Sequence, residues 1–244
     1  MTRTATPPGA VERLRAKMAL IAPQAQDASR QMWAEPDLAG TYRSWLMILH
    51  GTIRATVPLM NLALERCLQL RPDPVAERLA QYFAKHIHEE YGHDEWVAED
   101  LLLAGADPAD LDGFLPGPEI AALVGSQYYW IKHVHPVALI GHIAVLEGSP
   151  PAPELASSLA RRSGLPEAAF RTVERHSALD VRHAAEVTRL IDALPLTEAQ
   201  ERLLHISALH TIRGLIEVID SRPRPASAAA GAVGPVAAAM GDVA

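Results

Sequence analysis

Two segments of the chain carry the same arrangement of metal-binding side chains. His86-Ile87-His88-Glu89-Glu90-Tyr91-Gly92-His93 and His176-Ser177-Ala178-Leu179-Asp180-Val181-Arg182-His183 both read His-x3-acid-x2-His. An α-helix turns about 100° per residue, so steps of four and seven return to nearly the same direction. His86, Glu90 and His93 then share one helical face, and His176, Asp180 and His183 share another. Two such faces meeting inside a bundle would gather four imidazoles and two carboxylates. That donor set suits iron, manganese or zinc. Helical bundles build dinuclear carboxylate sites from Glu-x-x-His pairs on facing helices. Glu90-x-x-His93 is such a pair, and Asp180-x-x-His183 is its counterpart on another helix. Glu147 follows the apolar run Pro136–Leu146 and is the natural third carboxylate, because a carboxylate buried there needs a metal or a cation. The candidate metal ligands are Glu90, His93, Glu147, His176, Asp180 and His183, with His86 as the alternative on the early helix. The three carboxylates Glu90, Glu147 and Asp180 are also the candidate catalytic groups.

The other histidines have plainer readings. His88 points about opposite to Glu90 and reads as surface or as support behind a ligand. His133, His135 and His142 share a helix with Glu147 and read as structural or pocket groups. His50, His205 and His210 have no partner pattern. Glu89, Asp94 and Glu95 read as a solvated acidic face. Met32, Trp33, Tyr42, Trp45, Trp96, Tyr128, Tyr129 and Trp130 are either core or pocket wall. Lys132 and Arg54 could anchor a substrate carboxylate, but a long cationic side chain more often lies along the surface.

The elements that must position these groups are helical nearly throughout, and alternating β-branched runs are absent. Seven helices are expected. The first runs from about Gly9 to the Met32-Trp33 region, with a break at Pro23. The second runs from Thr41 to Leu70, kinked by Pro58. Arg71-Pro72-Asp73-Pro74 stops that helix and restarts a third, which continues to about Leu103. The fourth spans Pro118 to Leu146 with a bend at His135-Pro136, and a short fifth ends at Ser163-Gly164. The sixth runs from Pro166 to Leu194, and Thr197 opens a seventh that lasts to Ser221. These make one helical domain, residues 9–221. Residues 1–8 and the Pro/Ala/Gly-rich tail 222–244 lack any apolar periodicity and are expected to be disordered.

A chain of 244 residues with 49% hydrophobic and 21% charged residues is an ordinary globular domain. The net charge of -7, without a basic stripe, argues against nucleic acid. A lone cysteine, Cys67, excludes an intrachain disulfide and fits a reducing cytoplasm; its apolar surroundings make it a core residue. The Met18–Ala22 run is too short and wrongly flanked for a secretory leader, and no apolar run reaches membrane-spanning length. A cytoplasmic protein with a small-molecule substrate is expected, acting off the membrane and compatible with a homodimer.

At these motifs the sequence resembles the haem-oxygenase-like diiron oxidases, over about residues 30–220. His176-x3-Asp180-x2-His183 resembles the family's late ligand helix. Pro136-Val137-Ala138-Leu139-Ile140-Gly141, leading to Leu146-Glu147-Gly148, resembles its central helix, whose terminal Glu ligates or bridges iron. Glu90-x2-His93 resembles the early helix of the family's alkene-forming fatty-acid decarboxylase. Many members use Glu-x6-His there, whereas the residue seven before His93 is His86. The resemblance implies an all-α, seven-helix haem-oxygenase-like bundle with two ferrous ions and dioxygen as co-substrate. It implies oxidation of a small biosynthetic substrate, amino-acid-like or fatty-acid-like. Within the fold, a metal-free enzyme of thiaminase or pyrroloquinoline-quinone-synthase type is the alternative; outside enzymes, a non-catalytic iron- or haem-binding protein is.

Overall fold

The structure, a computed structural model, describes residues 8–222. Apart from Pro8 and Arg222, the termini for which disorder was expected lie outside the described residues. Arg222 is buried and pairs with Glu35.

The described residues are all-helical, as expected, but the seven expected helices are cut into eleven, and a short twelfth, outside all seven, and one short 3-10 turn are added. The first becomes α1 (Ala10–Met18) and α2 (Ala22–Trp33), with Pro23 in the first turn of α2. The second becomes α3 (Leu38–Ile53) and α4 (Thr56–Gln69). Pro58 lies in the first turn of α4, where its missing N–H costs nothing. Proline clashes with the carbonyl four residues back, here that of Arg54, so the helix restarts instead of kinking.

The third expected helix is split into α5 (Pro74–Glu90) and α6 (His93–Leu103). Tyr91 is extended and Gly92 has φ +83°, a left-handed conformation that favours glycine. Asp73 caps α5 by accepting from the Val75 and Ala76 amides. A short α7 (Pro108–Asp112) leads into α8 (Pro118–His133) and α9 (Val137–Leu146); the bend expected at His135-Pro136 within one helix is a full break between two. α10 (Leu155–Ser163) ends at Gly164, and the 3-10 turn Glu167–Phe170 leads into α11 (Arg171–Ala193). Thr197 caps α12 (Glu198–Ser221) through a capping box with Gln200.

The core is built from separate apolar clusters. One holds Leu79 and Phe83 of α5, Ile140 and Ile143 of α9, Val187 and Ile191 of α11, and Leu204 of α12. A second holds Tyr42 and Leu46 of α3, Val97 and Leu101 of α6, Phe170, and Val173 of α11. α11 therefore begins in the second cluster and ends in the first. Its middle, residues 176–183, lies across the seam, and so does the Tyr91-Gly92 break. α9 packs closely along α12, and a Cβ on Gly141 would fall 2.3 Å from the Leu204 carbonyl oxygen. No described helix is long and apolar enough to cross a membrane.

Candidate metal centre

Four helices deliver the motif residues to the seam. α5 contributes His86 and Glu90 from its last turns, and α6 contributes His93 as its first residue. Glu147 immediately follows α9. The middle of α11 contributes His176, Asp180 and His183. Their donor atoms fall into two groups that share Glu90. His86, Glu90, Glu147 and His183 have ligand atoms within 4.8 Å of one another, and so do Glu90, His93 and His176. His86 Nε2 is 2.8 Å from Glu147 Oε1, and His183 Nδ1 is 3.5 Å from Glu90 Oε1. On the other side, His93 Nδ1 is 3.0 Å from Glu90 Oε2. The rings of His93 and His176 stand edge to face at 5.0 Å.

The imidazoles are held from behind. Glu89 Oε2 lies 3.3 Å from His86 Nδ1, directing its N–H outward and its Nε2 inward. Glu89 is itself flanked by Arg182 at 3.4 Å and Lys85 at 3.5 Å. His176 Nδ1 donates to the Thr172 carbonyl at 2.8 Å, leaving Nε2 free to ligate. Asp100 of α6 accepts from the Thr172 amide at 2.8 Å and so caps α11 one turn before His176. Trp96 stacks on His93, with the Arg175 guanidinium 4.3 Å from the Trp96 ring centre.

The electrostatics describe a site short of positive charge. Burial pushes the Asp180 carboxyl up to about 8, helped by the Glu147 and Glu90 carboxylates. Burial also raises Glu147, aided by Glu90 and Glu89 and opposed by the His86 contact. For Glu90 burial acts upward too, but His93, His86 and His176 outweigh it, and the carboxyl lies below its usual range. Burial lowers His176 and His183, favouring the neutral form that binds metal. Four buried atoms in this ring have no hydrogen-bond partner: His93 Nδ1, Glu147 Oε2, Asp180 Oδ1 and His183 Nδ1. The close His93–Glu90 pair lacks hydrogen-bond alignment. Unpaired lone pairs on carboxylates and imidazoles, converging in a buried site, fit divalent cations.

An apolar cavity of about 420 Å³ opens onto this ring. Glu90, Glu147, His176 and Asp180 border it, and Trp33, Trp45, Leu59, Met60, Leu139 and Ile143 supply much of its wall. Among the described residues, no lysine or arginine lines it.

All six candidate ligands, and His86, are thus brought to one place, with His86 inside a ligand-atom group and Asp180 on the cavity side. His88 and His133 are exposed, as are Lys132 and Arg54. Met32, Trp33 and Trp45 line the cavity, Tyr42 is buried in a ring stack, Trp96 backs His93, and Tyr129 is exposed. Sequence reasoning missed Glu89 and Asp100. Glu89 looked like part of a solvated acidic face, but it lies three residues after His86 on α5 and meets the outer side of that ring, and α11 adds Arg182.

The sequence model of a family described as iron-containing redox enzyme matches residues 51–213, well over half of the chain. A search of curated proteins returned no match. Among solved structures, the chain is similar to a domain of unknown function with a haem-oxygenase-like fold from Shewanella denitrificans. The TM-score is 0.71 at 16% identity, covering 86% of this chain and 90% of that one. It is also similar to a TenA homologue from Pseudomonas syringae pv. tomato, with a TM-score of 0.66 at 12% identity, covering 90% of this chain and 97% of that one. At such identities the likeness is one of fold, and the fold is haem-oxygenase-like.

Proposed function

The chain belongs to the iron-containing redox enzyme family, and from that premise we propose that it is a non-haem diiron oxidase or oxygenase. The observation that carries this reading is the pair of ligand-atom groups sharing Glu90, with unpartnered lone pairs between them. His86, Glu147 and His183 would hold one ion, His93 and His176 the other, and Glu90 both. Asp180 adds a third carboxylate facing the cavity. Two ferrous ions bound there would supply electrons to activate dioxygen.

The protein's own groups then have definite tasks. Glu89 and the Thr172 carbonyl hold His86 and His176 by their outer nitrogens, so the inner nitrogens stay aimed at the site. Glu90, Glu147 and Asp180 offset much of the charge of two divalent ions. The apolar wall keeps bulk water from the reacting groups and receives the apolar body of an amino-acid-like or fatty-acid-like substrate.

The test is anaerobic reconstitution with ferrous iron, followed by iron analysis and Mössbauer spectroscopy. About two irons per chain, in a coupled high-spin ferrous site, are expected. Dioxygen uptake should accelerate when amino acids or fatty acids are screened as substrates. Failure to retain iron would replace this reading with a metal-free enzyme of the same fold. Iron retention without substrate-dependent dioxygen uptake would favour a binding protein.

A further inference from the structure

His142 lies on α9 five residues before Glu147 and borders the apolar cavity, yet its side chain takes no part in either ligand-atom group. It is 7% exposed. Its Nδ1 is 2.9 Å from Thr211 Oγ1, and Thr211 Oγ1 is 2.8 Å from the Ser207 carbonyl oxygen. Those two contacts determine where the protons are. Two oxygen lone pairs facing each other at that distance would repel, so the single hydroxyl proton of Thr211 points to the Ser207 carbonyl. Thr211 can then only accept from His142, and Nδ1 must carry a proton. Burial, with His210 nearby, lowers the imidazole to about 4, so the ring is neutral and Nε2 is bare. Nε2 has no protein hydrogen-bond partner among the described residues.

We propose that His142 Nε2 is a hydrogen-bond acceptor in the substrate chamber, selecting a substrate that carries a neutral O–H or N–H donor on an otherwise apolar body. A bare imidazole nitrogen bordering an apolar cavity strongly favours a ligand that satisfies it over one that does not. The donor is neutral because, among the described residues, no acidic side chain outside the ligand ring lines the cavity to pair with a cation. Five residues of helix rise about 7.5 Å, so this contact also sets how far along α9 the donor lies from Glu147. Lone histidines on apolar helices are usually structural, and the Thr211 contact alone would suit that role. The difference is that the ring borders the cavity and keeps one nitrogen free.

This inference rests on the cavity being the substrate chamber of the proposed oxidase, but it is tested without iron or dioxygen. The probes are para-pentylphenol and its methyl ether, which share an apolar body and differ in the donor. Calorimetry on the metal-free full-length chain should give at least about tenfold tighter binding of the phenol, equivalent to about 1.4 kcal/mol. In His142→Phe that preference should collapse toward unity, while the ether binds as before. Nitrogen NMR of the wild-type chain should show His142 with its proton on Nδ1 at neutral pH. Should His142→Phe fail to fold, His142→Leu takes its place, because the ring carboxylates bordering the cavity could give the wild-type chain a preference for the phenol on their own. Failure of the probes to bind, equal binding of the two, a preference that survives in His142→Phe, or a proton on Nε2 would overturn the proposal. The diiron reading fails on a different measurement, the iron stoichiometry.

Discussion

Glu90 reaches both histidine groups, and this makes its removal different in kind from removal of either neighbour. Its two oxygens face opposite sides, Oε1 toward His183 and Oε2 toward His93. Glu90→Ala should therefore drop iron below about one per chain, because both proposed ion positions lose a ligand. His86→Ala removes a donor from one group only and should keep about one iron, held by Glu90, His93 and His176. Iron analysis on both variants, with circular dichroism to confirm helicity, checks this; equal loss in the two would mean that Glu90 is not shared. Glu89→Ala should keep the stoichiometry but weaken iron by about 10–100-fold, the usual effect of removing a carboxylate behind a ligating imidazole. The spacing of His, Glu and Asp marked five of the six candidate ligands in the sequence, and the apolar run before it marked Glu147. Glu89 stands three residues after His86 on α5, so its contact with that ring was open to a helical wheel. What the wheel could not give is Arg182 of α11, the partner that makes Glu89 more than part of a solvated face.

The break between α5 and α6 shows what a periodic pattern conceals. His-x3-acid-x2-His assumes a continuous helix, yet Tyr91-Gly92 interrupts it and His93 opens a new one. Glycine inside a helical pattern costs only about 1 kcal/mol, so nothing local marked this one as a stop. The consequence is functional: His86 turns toward Glu147, and His93 is carried across the seam toward His176. Gly92→Ala would force a β-carbon into a left-handed conformation, at a cost of roughly 1–2 kcal/mol. A fall in Tm of about 2–8 °C is expected in a chain of this size. Iron should be lost preferentially from the His93–His176 side; an unchanged Tm and iron content would show that the break tolerates a side chain. Gly141 has another reason to be glycine. A methyl there meets the Leu204 carbonyl oxygen, so Gly141→Ala should push α9 from α12 and destabilise by about 1–3 kcal/mol in thermal or urea unfolding.

At the scale of the whole molecule, the candidate centre joins two apolar clusters that otherwise meet at a seam of charged and polar side chains. The all-α class was legible because amphipathic periodicity is a local property. The cavity was not, because α2, α3, α4, α9, α11 and α12 each supply only part of its wall. Without a cation, the seam holds three carboxylates close together, and the raised Asp180 and Glu147 show their mutual repulsion added to burial. Cations bound there would remove that repulsion and cross-link α5, α6 and α11 to the end of α9. Iron should therefore stabilise the fold as a whole. At a free concentration 100 times its dissociation constant, a ligand bound only by the folded state contributes about 2.7 kcal/mol. For a chain of this length that corresponds to a rise in Tm of about 5–10 °C. Anaerobic calorimetry of the metal-free chain, with and without ferrous iron, measures it. The rise should vanish in Glu90→Ala, which loses the shared ligand, and survive in Lys132→Ala, an exposed site away from the ring. A wild-type shift below about 2 °C at that iron concentration would mean that the seam is already satisfied without a metal.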